Sequence, residues 1–190
     1  PDNEIIEIVK KHGGNVILTG DHPNGTSRVF EAFKKINNDN VDLIINLQAD
    51  LPNIKPNSIS KLEKLMRESN SPIGTLASKL TKDEINDENV VKVEVETDLK
   101  EDSFLKAKNF FRIKKDLKKE KIYHHVGIYC FQSSQLKKYV ELGESRQEKI
   151  LKLEQIRLMG KIEIKVGYCD SNPLSIDTLE DLKRIEKEMS

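Results

Sequence analysis

Leu43-Ile44-Ile45-Asn46-Leu47-Gln48-Ala49-Asp50-Leu51-Pro52 is the stretch on which the reading of this 190-residue chain turns. Leu43, Ile44, Ile45 and Leu47 lie close together without a charge, as in a strand buried on both faces of a parallel sheet. Polar groups then arrive together: Gln48 and Asp50 stand at the carboxyl end, and Pro52 stops the ladder. In open α/β sheets ligands bind beyond the carboxyl ends of strands, where a carboxylate suits a hard cation carrying a phosphate. A turn aspartate after a core strand is the other reading of the same residues.

Upstream, Asp2 caps a helix over residues 2–12 with Ile5, Ile6 and Val9 as its apolar stripe, closed by Gly13-Gly14. Val16-Ile17-Leu18 reads as a short buried strand. Asp21 to Arg28 is a turn-rich loop feeding a helix, with Thr26 or Ser27 as cap and Val29, Phe30, Phe33 and Ile36 inward. A glycine loop entering a helix amino terminus is a natural anion site, although most such loops only cap the helix.

Downstream, Asn57 or Ser58 opens a helix with Ile59, Leu62, Leu65 and Met66 inward, followed by a strand at Ile73–Ala77. Val90–Val95 alternates apolar and charged residues, as a half-exposed strand does. Residues 97–121 are crowded with lysine and acid and read as a solvated, mobile loop, Arg112 excepted. Tyr123–Phe131 is again a strand, and Ser133–Val140 a short helix closed near Gly143. Ser145 and Glu148 form a capping box for a helix running to about Met159, with Gly160 as its stop. Lys161–Tyr168 is a strand, and Asp177 or Thr178 caps a terminal helix carrying Leu179, Leu182, Ile185 and Met189.

Composition narrows the function classes. Lys+Arg 32 against Asp+Glu 32 argues against a nucleic-acid binder working through a basic surface. No apolar run approaches the ~20 residues of a membrane span, and no signal peptide is seen. Cys130 and Cys169 have no metal-ligand spacing and read as buried thiols of a cytosolic protein; the four histidines form no zinc signature.

The motifs, in order, resemble those of the 3-deoxy-manno-octulosonate cytidylyltransferases (CMP-Kdo synthetases). They are His22-x-x-Gly25-Thr26-x-Arg28, Asn46-x-Gln48-x-Asp50-x-Pro52, Thr75-Leu76-Ala77 and Asn89-x-Val91-Lys92-Val93. After them come His125-x-Gly127-Ile128-Tyr129, Ser145-x-x-Glu148, Leu153-Glu154-Gln155-x-Arg157 and Ile176-Asp177-Thr178-x-Glu180-Asp181-Leu182. Each is unremarkable alone; their collinear order from about residue 4 to the carboxyl terminus makes the resemblance specific.

The resemblance implies an α/β three-layer, nucleotide-diphospho-sugar transferase-like fold. Its sheet would be mostly parallel, with a small mixed extension over residues 90–131 for sugar contacts and a homodimer interface. It implies transfer of CMP from CTP to the anomeric hydroxyl of Kdo for lipopolysaccharide assembly, with pyrophosphate released. Asp50 and Asp177 would hold Mg²⁺; a plain helix cap is the alternative for Asp177. Gln48, Arg112, His125, Tyr129, Glu154 and Gln155 would grip the sugar acid, a planar guanidinium suiting its carboxylate. Gly25, Thr26 and Arg28 would serve the nucleotide or its phosphates, with a structural cap as the alternative. His124 must face away from His125 on a strand and is given no role.

Departures from the pattern are Ala49 and Leu51 flanking Asp50, Phe110-Phe111 before Arg112, and Leu151 where Glu is common. The chain opens on Pro1 directly into a helix, so an amino-terminal unit of about 50–60 residues carrying the CTP loop is expected to be missing. Turnover is accordingly expected of the longer protein and not of this chain alone. A cytidylyltransferase for another acidic sugar, such as a sialic acid, and a non-catalytic remnant are the alternative readings.

Overall fold

The structure, a computed structural model, describes residues 2–38, 40–113, 121–173, 175–176 and 178–189. Helix α1 (Asn3–Lys11) lies on the surface with no buried residue. Val16–Leu18, expected as a buried strand, pairs with no strand, and Ile17 and Leu18 are exposed. Three apolar residues are not enough without a sheet neighbour to take their backbone groups.

Helix α2 (Gly25–Ile36) is capped two or three positions earlier than expected: Asn24 Oδ1 accepts from Ser27 N at 2.9 Å, leaving Thr26 and Ser27 buried in the first turn. Strand β1 (Leu43–Asn46) follows, then α3 (Pro56–Ser69), with proline at its first position, and β2 (Ile73–Ser78), buried throughout. Next come β3 (Lys92–Val95), β4 (Phe104–Phe111), the 12-residue β5 (Lys121–Gln132) and α4 (Ser133–Glu141).

β4 replaces much of the expected mobile loop. Its charges belong to a half-exposed antiparallel strand, with Ala107 and Phe110 inward and Lys106 and Lys108 outward. Residues 114–120 of that stretch lie outside the described residues.

Ser145 and Glu148 form the capping box of α5 (Arg146–Leu151). The helix does not reach Met159: Lys152 turns left-handed (φ 51°) and a 3-10 turn over Glu154–Leu158 follows. Strand β6 (Ile164–Tyr168) and helix α6 (Leu179–Met189) complete the chain. Of the two candidate caps for α6, Thr178 acts, its Oγ1 accepting from Asp181 N at 3.2 Å.

The six strands order as β1-β5-β2-β6-β4-β3, and β3 also pairs with β5, so five of them close on themselves. The expected mostly parallel sheet is not what the described strands build. Only β2–β6 is parallel, against five antiparallel pairings. The cause is β5, which runs antiparallel between β1 and β2 and separates strands that point the same way.

Successive β5 residues feed opposite faces. Val126, Ile128 and Cys130 meet Leu62 and Met66 of α3, while Tyr129 and Phe131 meet Leu136 and Tyr139 of α4. The molecule is therefore an α/β layered fold around a mixed sheet. Two glycines let α3 lie close on it: a Cβ at Gly74 would stand 2.7 Å from Met66 Sδ, and one at Gly167 2.6 Å from Leu65 Cδ1.

Candidate active site

Asp50 lies in the turn beyond β1, closed by Leu51 N–H donating to Gln48 C=O at 3.3 Å. Its own carbonyl accepts from Ile176 N at 3.0 Å, and Ser175 Oγ donates to its Oδ2 at 3.3 Å. The chain beyond β6 thus returns to the turn, although Asp177 itself lies outside the described residues. Asp50 Oδ1 is buried without a hydrogen-bond partner among the described residues. A carboxylate oxygen left so is costly, and a hard cation would satisfy it. Leu51, a departure from the pattern, is buried with its Cδ1 3.7 Å from where a Cβ on Gly127 would stand.

Beside β1, His125 and Tyr129 stand on one face of β5, their rings 5.3 Å apart, with Phe110 edge-on to His125 at 5.1 Å. His125 Nε2 lies 2.9 Å from Thr75 Oγ1, whose single proton goes to Ile128 C=O at 2.6 Å. The imidazole therefore carries its hydrogen on Nε2. Burial pulls its pKa down to about 3, with a smaller push from His124, so it is neutral. His124 turns the other way, as expected, to Glu84 at 3.0 Å. Tyr129 is buried too, and its hydroxyl has no hydrogen-bond partner among the described residues. Burial, with Glu154 and Tyr139 adding to it, holds that phenol well above its usual range.

Glu154 enters from the 3-10 turn. Thr26 Oγ1 donates to its Oε1 at 2.9 Å and Tyr139 O–H to its Oε2 at 3.3 Å, while the Thr26 backbone N–H also favours its charge. Burial outweighs these donors and leaves its pKa raised. Thr26 Oγ1 in turn accepts from buried Asn46 Nδ2 at 3.1 Å. Behind Tyr139, Arg157 lays its guanidinium 4.3 Å from the ring centre and forms a buried ion pair with Glu148. Gln155 is buried alongside.

The remaining predicted residues are less convergent. Arg112 Nη1 donates to the carbonyls of Glu88 (3.0 Å) and Asn89 (2.8 Å). The Arg112 carbonyl accepts from the buried Lys92 Nζ at 2.7 Å. Arg28 is exposed and holds Thr19 Oγ1 at 2.7 Å and Gly20 C=O at 3.2 Å. Gly25 is exposed, with nothing within 4 Å of where a Cβ would be. The surface grooves flank α2: Phe30, Phe33 and Lys137 line one, His22, Glu31 and Val140 the other.

The structure thus brings Glu154, Tyr129 and His125 together, with Asn46 and Thr26 linking them to the strand that leads into the turn of Gln48 and Asp50. Tyr139, Asn46 and the Glu148–Arg157 pair were given no role from sequence. Tyr139 reads there as one more apolar position of α4, three residues after Leu136; only the polar partner needed by a buried phenol hints at more.

Residues 2–165 match a family described as cytidylyltransferase. The 3-deoxy-manno-octulosonate cytidylyltransferase of Rickettsia canadensis is 39% identical over 188 residues, 97% of this chain and 74% of that protein. The protein of the same name from Brucella ovis is 37% identical over 185 residues, 95% and 73% of the two chains. The solved structure of CMP:2-keto-3-deoxy-manno-octonic acid synthetase complexed with CTP is similar at a TM-score of 0.85 and 31% identity. That match covers 99% of this chain and 77% of the other.

Proposed function

The chain belongs to the 3-deoxy-manno-octulosonate cytidylyltransferase family, and on that premise we propose that it transfers CMP from CTP to the anomeric hydroxyl of Kdo. Pyrophosphate is the other product. One observation carries the reading to this site. Among the described residues three buried side-chain polar atoms lack a partner: Asn24 Nδ2, Asp50 Oδ1 and Tyr129 O–H. Buried polar groups are nearly always paired, so each exception needs a reason. A metal ligand and a substrate contact supply reasons for the last two.

Asp50 would hold Mg²⁺, and its buried Oδ1 fits that use; Asp177 joins it by family resemblance. Mg²⁺ accepts one or two carboxylates and fills its shell with phosphate oxygens and water, so the absence of a larger acidic cluster among the described residues is compatible. When bound, the ion neutralises phosphate charge and acidifies a hydroxyl.

The protein's own residues then position the sugar. Neutral His125 and Tyr129 present uncharged polar atoms, Glu154 accepts from sugar hydroxyls, and Gln48 and Gln155 add amide contacts. Arg112 would take the sugar carboxylate through the guanidinium edge not turned to the 88–89 carbonyls. By family resemblance Gly25 and Arg28, exposed at the start of α2, would serve the nucleoside part of CTP and not its phosphates. Positioning of this kind is the main catalytic resource in phosphoryl-type transfer. By the same resemblance the protein works as a cytoplasmic homodimer in lipopolysaccharide assembly.

Pyrophosphate release from CTP, Kdo and Mg²⁺ by the protein carrying the amino-terminal CTP-loop unit tests this. Asp50→Asn is expected to lower the rate at least about a hundredfold while the circular dichroism stays unchanged. A rate equal to wild type would remove Asp50 from the site.

A further inference from the structure

A glycine-containing loop entering a helix invites assignment of its amino terminus to phosphate. In this fold the anion at the start of α2 is the protein's own. The Glu154 carboxylate takes the hydroxyl of Thr26 at 2.9 Å and is favoured by the Thr26 backbone N–H as well. A nucleotide phosphate brought to the same first turn would meet that carboxylate at close range, like charge against like. Thr26 is 1% exposed and offers no hydroxyl to solvent.

The rest of the arrangement fixes Glu154 rather than opening a pocket. Asn46 Nδ2 donates to Thr26 Oγ1, so the one hydroxyl proton is directed to Glu154. On the other side Tyr139 donates to Oε2 and is itself held by the face of Arg157, which the buried ion pair to Glu148 anchors. Asn46 closes β1, the strand that leads into Gln48 and Asp50. The brace therefore ties the carboxylate to the strand bearing the Asp50 turn. A carboxylate has about four acceptor positions, and hydroxyl donors fill one on each oxygen. Those left can only accept, so they select ligand O–H donors and reject anions.

We propose that Thr26 and Tyr139 are positioning residues that set the Glu154 carboxylate to receive hydroxyls of the sugar acid, so that the amino terminus of α2 serves the sugar rather than the phosphates of CTP. The proposal rests on the reading of Glu154 as a sugar contact.

Steady-state kinetics of the protein carrying the amino-terminal CTP-loop unit, with CTP and Kdo varied separately, alongside thermal melting, test it with Thr26→Val, Thr26→Ser, Tyr139→Phe and Glu154→Gln. Thr26→Val is expected to lower kcat/KM for Kdo by about tenfold or more, the effect of losing a hydrogen bond to a charged group, with the KM for CTP unchanged. Thr26→Ser, which keeps the hydroxyl, is expected to stay within about twofold of wild type. In the Glu154→Gln background neither Thr26→Val nor Tyr139→Phe should lower Kdo turnover further, because both act through that carboxylate. A Thr26→Val protein with a raised KM for CTP and an unchanged KM for Kdo would overturn the proposal. So would a full, independent loss on top of Glu154→Gln. Wild-type kinetics in Glu154→Gln alone would instead overturn the sugar-contact reading on which the brace depends.

Discussion

At the scale of single residues, the site is distinguished by polar groups kept neutral or unsatisfied where a core would exclude them. His125 is the sharpest case. Its folded pKa of about 3 lies below the ordinary 6.5, with burial as the main cause. Above pH 6.5 it is neutral in both folded and unfolded chains and contributes no pH dependence. Between 6.5 and about 3 the unfolded chain binds a proton that the folded one refuses, so stability falls as pH falls. Urea unfolding at pH 7, 5.5 and 4.5 should show this decline, and His125→Gln should flatten it by up to about 1.4 kcal/mol per pH unit. An unchanged slope would mean that the ring is charged in the fold. From sequence the motifs could propose site residues but not their contacts. Asp50 and Glu154 could be named, but not that Glu154 already fills the anion slot of α2. That depends on Thr26 and Glu154, far apart in sequence, meeting through a hydroxyl.

At the scale of elements, the helices were the more legible part, because a 3.6-residue stripe and its caps are local. The capping box at Ser145 and the inward face of α3 are as expected, whereas the sheet was misread for a physical reason. Apolar-rich stretches such as Leu43–Ile45 and Ile73–Ala77 report burial, partial in the first and complete in the second. Here that burial comes from helical layers above and below, not from parallel neighbours. Likewise the charges of β4 report one wet face, not disorder. The helix expected to run to Met159 breaks at left-handed Lys152, and this break sends Glu154 inward. Close packing of α3 on β2 gives a direct test. Gly74→Ala puts a methyl against Met66 Sδ and Phe104, and should cost about 1–3 kcal/mol in urea unfolding. Gly127→Ala, whose nearest neighbour would be 3.7 Å away, should cost less than about 1 kcal/mol. Equal costs would mean that α3 does not press on the sheet as described.

At the scale of the whole molecule, the long β5 strand organises function as well as fold. It pairs β1 on one side and β2 on the other, and on its length sit His125 and Tyr129. The same pairing sets Asn46 opposite Tyr129, so the turn bearing Asp50 begins next to the residues proposed to hold the sugar. The chain beyond β6 then closes over that turn through Ser175 and Ile176. The carboxylate proposed for the metal and the contacts proposed for the sugar thus belong to one rim of one sheet, where on this reading a nucleotide phosphate and a sugar hydroxyl would meet. Phosphorus NMR of the protein carrying the amino-terminal CTP-loop unit, with CTP, Kdo and Mg²⁺, tests this most directly. The account predicts a sugar-phosphodiester signal and pyrophosphate growing together, in equal amounts, and lost when Kdo is omitted or Asp50 is changed to Asn. Pyrophosphate without the diester, or equal diester formation by the Asp50→Asn protein, would contradict it.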